Sequence, residues 1–186
     1  CQQEFRNAGV SIRAQARALL DTAVTETARA RELIRRVRDF ISRGDLKKDR
    51  IDINEAVRQG VGLALVSAEM PNIKVTCDLD ETLPKVMADF VQIGQIILNL
   101  LRNSLAAMQD ADVQVLTVRT RQRDNCVQVC VQDTGIGIRE DVQPYIFQPF
   151  HASTTKGMGI GLSLCRSIVE AHEGKIWVQP SEVGAK

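Results

Sequence analysis

Two asparagines, one aspartate and a set of closely spaced glycines are the residues whose types and spacing could do chemistry here. In "QIILNLLRNSLAAM" (95–108), Asn99 and Asn103 stand one helical turn apart. At 100° per residue they lie about 40° from each other, opposite a face formed by Ile97, Leu101, Ser104, Leu105 and Met108. Two carboxamide oxygens so placed make a neutral pair that can hold a hard cation such as Mg2+ beside phosphates. Taken alone, two solvated side chains on an amphipathic helix account for the same pattern.

The second group lies in "CVQVCVQDTGIGI" (126–138). Val127, Val129 and Val131 share one strand parity and Asp133 continues it, so its carboxylate should point into the layer where the valines pack. A buried carboxylate needs donors, and the amino edge of a purine can supply one. Gly135 and Gly137 remove side chains, which lets a flat ring approach the backbone. The plain alternative is a turn, for which Asp-Thr-Gly is good chemistry.

The third group is "KGMGIGLSLCRSIVEAHEG" (156–174), where Gly157, Gly159 and Gly161 lead straight into a helix. Backbone freed of side chains at a helix N-terminus can wrap phosphates. No Gly-Lys-Ser/Thr follows, so it is no Walker loop, and G-x-G-x-G after a polar segment is no Rossmann fingerprint. Lys156 suits a terminal phosphate or plain solvent. Before it, in "IFQPFHAST" (146–154), Phe147 and Phe150 bracket Pro149 as apolar anchors for a loop that closes over a ligand, or as local core.

These pieces need elements to position them. Residues 5–43 are helical in character, and "TARARELIRRVRDFI" sets Ala30, Leu33, Ile34, Val37, Phe40 and Ile41 in an apolar stripe. A turn at Asp21, Thr22 and Thr25 would make a helical hairpin; one longer helix, or a hairpin whose loop is not in this chain, fits as well. The stripe needs a partner, and a dimeric bundle supplies one. "RGDLKKDR" (43–50) is a polar break. Beyond it the spacing predicts a strand end and a helix capped by Asp52 or Asn54, and a half-buried strand through Ile73, Val75, Cys77 and Leu79. A helix over 90–109 capped by Asp89 follows, then strands near 113–121 and 125–133. Loops over 134–158, a helix over 160–172 and a strand at "KIWVQ" (175–179) complete a mixed α/β layer protein.

The 186 residues allow a full core, and 44% hydrophobic with 25% charged residues is ordinary for a globular chain. No apolar run reaches membrane-spanning length. The net charge of +1 is mildly divided, with 12 Lys+Arg against 7 Asp+Glu in residues 1–50; this is no nucleic-acid footprint. Five cysteines occur, at positions 1, 77, 126, 130 and 165, without C-x-x-C spacing. Cys126 and Cys130, on one strand, would stand roughly 13 Å apart and cannot bridge. The set fits a reducing, cytoplasmic setting.

In this order and spacing, the four motifs resemble the ATP-binding domain of sensor histidine kinases. The N box corresponds to Asn99–Met108, the G1 box to Asp133–Gly137, the F box to Phe147–Phe150 and the G2 box to Gly157–Leu162. The resemblance covers residues 50–186 and implies the Bergerat α/β sandwich of the kinase/gyrase/Hsp90 group, a mixed sheet with helices on one face. It further implies ATP and Mg2+ as cofactors, adenine read by Asp133, Mg2+ ligated by Asn103, and a lid over 151–161. Gly135, Gly137, Ile138, Phe150, Gly157, Gly159, Gly161 and Leu162 would line the nucleotide, with Asn99 and Lys156 in catalytic positions. The segments "TTKGMGIGLS", "EAHEGKI" and "RELIRRVRDFISRG" are similar to FixL-type oxygen-sensor kinases. Residues 1–44 would then belong to the α-helical dimerisation and phosphotransfer hairpin, with a homodimer and a response-regulator receiver domain as partners.

Hydrolytic members of the wider group carry a glutamate where this chain has Asn99, and an amide is no general base. That favours transfer to a protein acceptor over hydrolysis. The family's acceptor is a histidine followed by an acidic residue on the first hairpin helix. This chain has His151 and His172, neither in that context, so the acceptor is expected before Cys1 or is missing. A last strand after "SEVGAK" is likewise expected beyond the chain. A nucleotide-binding pseudokinase or scaffold, and a chaperone- or repair-type ATPase, are the competing readings.

Overall fold

The computed structural model describes residues 47–66, 68, 70–149 and 159–179, with Arg17, Leu19, Leu20, Ala23, Val24 and Thr27 from nearer the N-terminus. The chain divides into two compact units, residues 1–44 and 45–186. In the first, the six described residues are helical, and the Thr27 hydroxyl donates to the Ala23 carbonyl at 2.7 Å. Leu19, Leu20 and Val24 are exposed. The Leu33/Val37/Phe40 stripe and the turn residues Asp21, Thr22 and Thr25 lie outside the described residues, as residues 180–186 do.

The second unit opens with β1 (Asp49–Ile51) and α1 (Ile53–Val66). Asp52 supplies the cap, its Oδ1 accepting the Asn54 and Glu55 N–H groups at 2.8 and 3.4 Å. Asn54 is thereby left for another task. Next come β2 (Lys74–Leu79), β3 (Val86–Ala88) and α2 (Phe90–Ala107), capped by Asp89 as its sequence predicts. The hairpin β4 (Val115–Arg123) and β5 (Cys126–Asp133) turns at Asp124, in left-handed conformation with φ 53°. A short 3-10 turn covers Gln143–Tyr145, and α3 spans Gly161–Ala171.

β1 and β3 form a small antiparallel ribbon, with Ile51 opposite Val86. The main sheet has the order β2-β4-β5: β2 and β4 are parallel and joined through α2, while β4 and β5 are antiparallel. Leu116, Val118 and Thr120 of β4 point inward beneath α1 and α2, and Val127, Val129 and Val131 of β5 pack on the same core. The centre of that core is Val57 of α1 with Ile97, Leu101 and Met108 from the α2 region. At about 25 cal/mol per Å2 of apolar surface, this shared face drives the assembly of sheet and helices.

A closed polar ring ties the layers together. The Asp80 N–H donates to Thr120 Oγ1 (3.0 Å), the Thr120 hydroxyl donates to Asn54 Oδ1 (2.8 Å), and Asn54 Nδ2 donates to the Asp80 carbonyl (2.8 Å). Pairing each of these groups offsets the cost of burying it.

Two sequence expectations need correction. "KIWVQ" forms no strand, because no described segment pairs with it, and an unpaired strand satisfies none of its backbone groups. Cys77 is exposed rather than half-buried, because β2 is an edge strand.

Asn54→Ala should leave Thr120 and the Asp80 carbonyl unpaired in the core, costing about 1–3 kcal/mol. Urea unfolding should show a lower midpoint, and a Thr120→Val change added to it should cost much less than Thr120→Val alone.

Candidate functional site

α2 carries the paired carboxamides because its sequence is apolar on three sides. Ile97, Leu101, Ser104 and Leu105 are buried toward the sheet, and Ile96 faces α3. Asn99 and Asn103 fall on the remaining arc, Asn99 half-buried and Asn103 exposed. A hollow of about 320 Å3 between α1 and α2 is lined by Ala64, Met70, Arg102, Leu105 and Gln109, and by neither Asn99 nor Asn103.

The Asp-Thr-Gly turn is docked on the C-terminal end of this helix. The Ile136 N–H donates to the Ala107 carbonyl at 3.2 Å. A Cβ on Gly135 would stand 2.5 Å from that same oxygen and 2.6 Å from its carbon. Gly135 is therefore demanded by the approach of strand end to helix end, a different cause from access for a planar ring. Gly137 has φ 71°, a left-handed conformation that disfavours side chains. Asp133, half-buried and paired in register with the buried Leu116, keeps the inward parity its sequence predicts. Its Oδ1 accepts the Gly135 N–H at 3.0 Å, so the carboxylate has one donor from its own turn and further lone pairs to offer.

Thr134 does work that the sequence did not disclose. Its hydroxyl donates to the Val113 carbonyl at 2.5 Å and accepts the Val115 N–H at 3.0 Å. This anchors the turn to the head of β4. Ile138, half-buried, accepts at its carbonyl from Gln143 Nε2 at 3.2 Å.

α3 begins at Gly161, directly behind the glycine series. Gly159 has φ 65°, and a Cβ on Gly161 would meet nothing within 4 Å. α1 and α2 are capped by aspartates, but at α3 the N-cap residue is Ile160, whose side chain cannot cap. Its first-turn N–H groups and the positive end of its dipole suit an anion. Leu162 is half-buried, while Leu164, Cys165 and Ile168 pack on Ile96 of α2. The structure thus brings α2, the Asp133 turn and the start of α3 together: the first two meet at Ala107, and α2 and α3 share an apolar seam. Phe150, His151, Lys156 and Gly157 lie outside the described residues.

Cys165 is wholly buried in that seam, and its thiol lies 3.9 Å from the Ile96 carbonyl. Burial pushes the thiol up to about 12, with the Asn99 side chain and the backbone pulling partly the other way. His172 closes α3 with both ring nitrogens engaged: Nε2 lies 3.0 Å from the Asp89 N–H and Nδ1 2.8 Å from the Ile168 carbonyl. Neither nitrogen is available as a phosphoryl acceptor. Among the described residues no cluster of His, Cys, Asp and Glu could hold a metal, and no helix is long and apolar enough to cross a membrane.

The β2-β4-β5 sheet beneath α1 and α2, with the Asp133 turn docked on the end of α2 and glycines opening α3, is an α/β sandwich of the Bergerat kind. Residues 88–186 match the family of histidine kinase-, DNA gyrase B- and HSP90-like ATPases, and the chain belongs to that family as an ATP-binding module of the sensor histidine kinase type. The sensor protein FixL of Bradyrhizobium diazoefficiens is 39% identical over 166 residues, covering 89% of this chain and 33% of its own length. The chain thus spans about a third of that relative. Among solved structures, the catalytic domain of histidine kinase ThkA superposes with a TM-score of 0.64 at 29% identity, covering 75% of this chain and 90% of that one. ThkA in complex with the response regulator protein TrrA gives 0.70 at 26%, covering 87% and 46%. Full-length ShkA in complex with AMPPNP gives 0.74 at 26%, covering 88% and 35%.

Cys165 should resist alkylation in the native protein well above the pH at which exposed thiols react, while Cys77 and Cys126 are modified readily. Mass spectrometry of iodoacetamide-treated protein at pH 8.5 should find Cys165 labelled only after denaturant is added.

Proposed function

We propose that residues 45–186 hold ATP with its adenine amino group against Asp133 and its phosphates between Asn103 and the start of α3. One observation carries this reading: the carboxylate at the end of β5 and the carboxamides of α2 are fixed to a common frame through Ala107, beside a helix start without a side-chain cap. Gly135, Gly137 and Ile138 form the adenine side, and Gly159, Gly161 and Leu162 the phosphate side. Phe150, Lys156 and Gly157 are assigned by motif position alone.

Mg2+ fits this donor set. It keeps most of its shell as water and phosphate oxygen and needs one or two protein oxygens, not a cage. Asn103 would supply one; the ion would neutralise charge on the transferring phosphoryl group. Asn99 cannot take a proton from water, which disfavours hydrolysis. Transfer to a protein histidine is the reaction such a site favours, by positioning and electrostatics. The acceptor would be a histidine on a dimerisation hairpin, with residues 1–44 contributing to a homodimer. The exposed Leu19, Leu20 and Val24 support that pairing. A response-regulator receiver domain is the onward acceptor; ThkA's complex with TrrA supports this choice.

Asp133→Asn turns an acceptor oxygen into a donor facing the purine amino group, a mismatch of about 1–3 kcal/mol. ATP affinity by calorimetry should fall about tenfold or more with the circular dichroism spectrum retained. Asn103→Ala should weaken Mg-ATP more than adenosine. Unchanged titrations for Asp133→Asn would remove adenine from this position.

With γ-labelled ATP, this chain should remain free of acid-labile label. A hairpin carrying an acceptor histidine, supplied in trans, should be labelled. Label on this chain that disappears in His151→Ala would relocate the acceptor, and an unlabelled hairpin would favour the pseudokinase.

A further inference from the structure

α2 and α3 meet along an apolar seam of Ile96, Leu164, Cys165 and Ile168. Apolar contact is non-directional, so such a seam resists separation better than sliding. The cysteine thiol, at 3.9 Å from the Ile96 carbonyl, is a weak pin. The directional bonds lie at the far end. The His172 imidazole accepts the Asp89 N–H at 3.0 Å through Nε2 and reaches the Ile168 carbonyl at 2.8 Å through Nδ1. A backbone N–H can only donate and a carbonyl can only accept, so the proton sits on Nδ1 and the lone pair on Nε2.

Both ends of this bridge are themselves fixed. The Asp89 carboxylate accepts the Val91 and Gln92 N–H groups at 3.0 and 3.1 Å, so the residue that His172 grips is the cap of α2. Behind His172 the chain turns through Glu173 in left-handed conformation (φ 60°), and the Gly174 N–H returns to the Val169 carbonyl at 2.9 Å. Lys48 faces Glu173 at 3.8 Å. α3, with its 11 residues, is a rod about 16 Å long, so a slip at His172 reaches Gly161 undiminished.

We infer that His172 is a positioning residue for the nucleotide site: it sets the register of α3 along α2, and so where the helix start at Gly161 stands relative to Asn99 and Asn103. This deepens the cleft reading given above and rests on it. Adenine is held by the Asp133 turn, which is docked on α2 independently of α3, so His172 governs the phosphate side and not the adenine side.

The test uses the whole chain with His172→Phe, His172→Ala and His172→Gln. Mg-ATP affinity should fall about fivefold in the first two, within the usual range of such couplings. His172→Gln, whose Oε1 can accept the Asp89 N–H, should recover most of it. Adenosine affinity should stay unchanged throughout, which a general loss of structure would not allow. Two readouts need no nucleotide: long-range 15N–1H correlation should place the imidazole proton on Nδ1, and Asp89 amide exchange should speed up in His172→Phe. These stand even if wild-type protein fails to bind ATP, which would remove the cleft reading alone. A proton on Nε2, equal losses for adenosine and Mg-ATP, or a His172→Phe protein that binds like wild type would overturn the assignment. Should His172→Phe and His172→Ala fail to fold, the tautomer and the His172→Gln affinities still decide it.

Discussion

The carbonyl of Ala107 is the point on which the site depends. It accepts the Ile136 N–H, and it lies so close to the Cα of residue 135 that any side chain there would occupy the space of the oxygen. Backbone meets backbone, with no flexible group that could yield. The end of β5 therefore has one permitted position on the end of α2. Asn103 is four residues, about one turn, from Ala107, and Asp133 is two residues from Gly135. Two chemically different groups are held at a set separation because neither is on a free loop.

α2 is the wall common to every part of the unit. Its buried side chains complete the core with α1 and the sheet, one flank packs on α3, and its C-terminal end receives the Asp133 turn. Rigidity comes from different physics in each direction. Toward the sheet it is dense apolar packing, in which small volume changes are felt. Beneath α1 it is the Asn54–Thr120–Asp80 ring, where every buried polar group is paired. Toward α3 it is a smooth seam, pinned weakly by the Cys165 thiol at the Ile96 carbonyl and directionally by His172 against Asp89. An apolar seam with polar ends suits a helix that follows a ligand-binding glycine series.

Much of this was legible in the residues. The 3.6-residue period of α2 and the two-residue period of β5 separate inward from outward positions, so the arc holding Asn99 and Asn103 and the inward aim of Asp133 follow from spacing. Asp89 caps its helix because carboxylates suit helix starts wherever they occur. Less legible were residues whose partners are remote. Asn54 reads as a second cap candidate until Thr120, 66 residues away, is seen to claim its side chain. His172 has no partner legible near it in sequence; its partner Asp89 lies 83 residues earlier. Cys77 reads as half-buried until β2 proves to be an edge strand.

The sequence by itself therefore determined the local periods, the helix caps and the order of the four motifs, because those depend on neighbours within one or two turns or strand steps. It also determined that Asn99 cannot act as a base, since that lies in the side chain's chemistry. Tertiary structure alone decided why residue 135 must be glycine, what buries Cys165, and which nitrogen of His172 carries its proton. Each of these is settled by a contact between groups distant in the chain, and such contacts exist only once burial of the shared apolar face has brought the elements together.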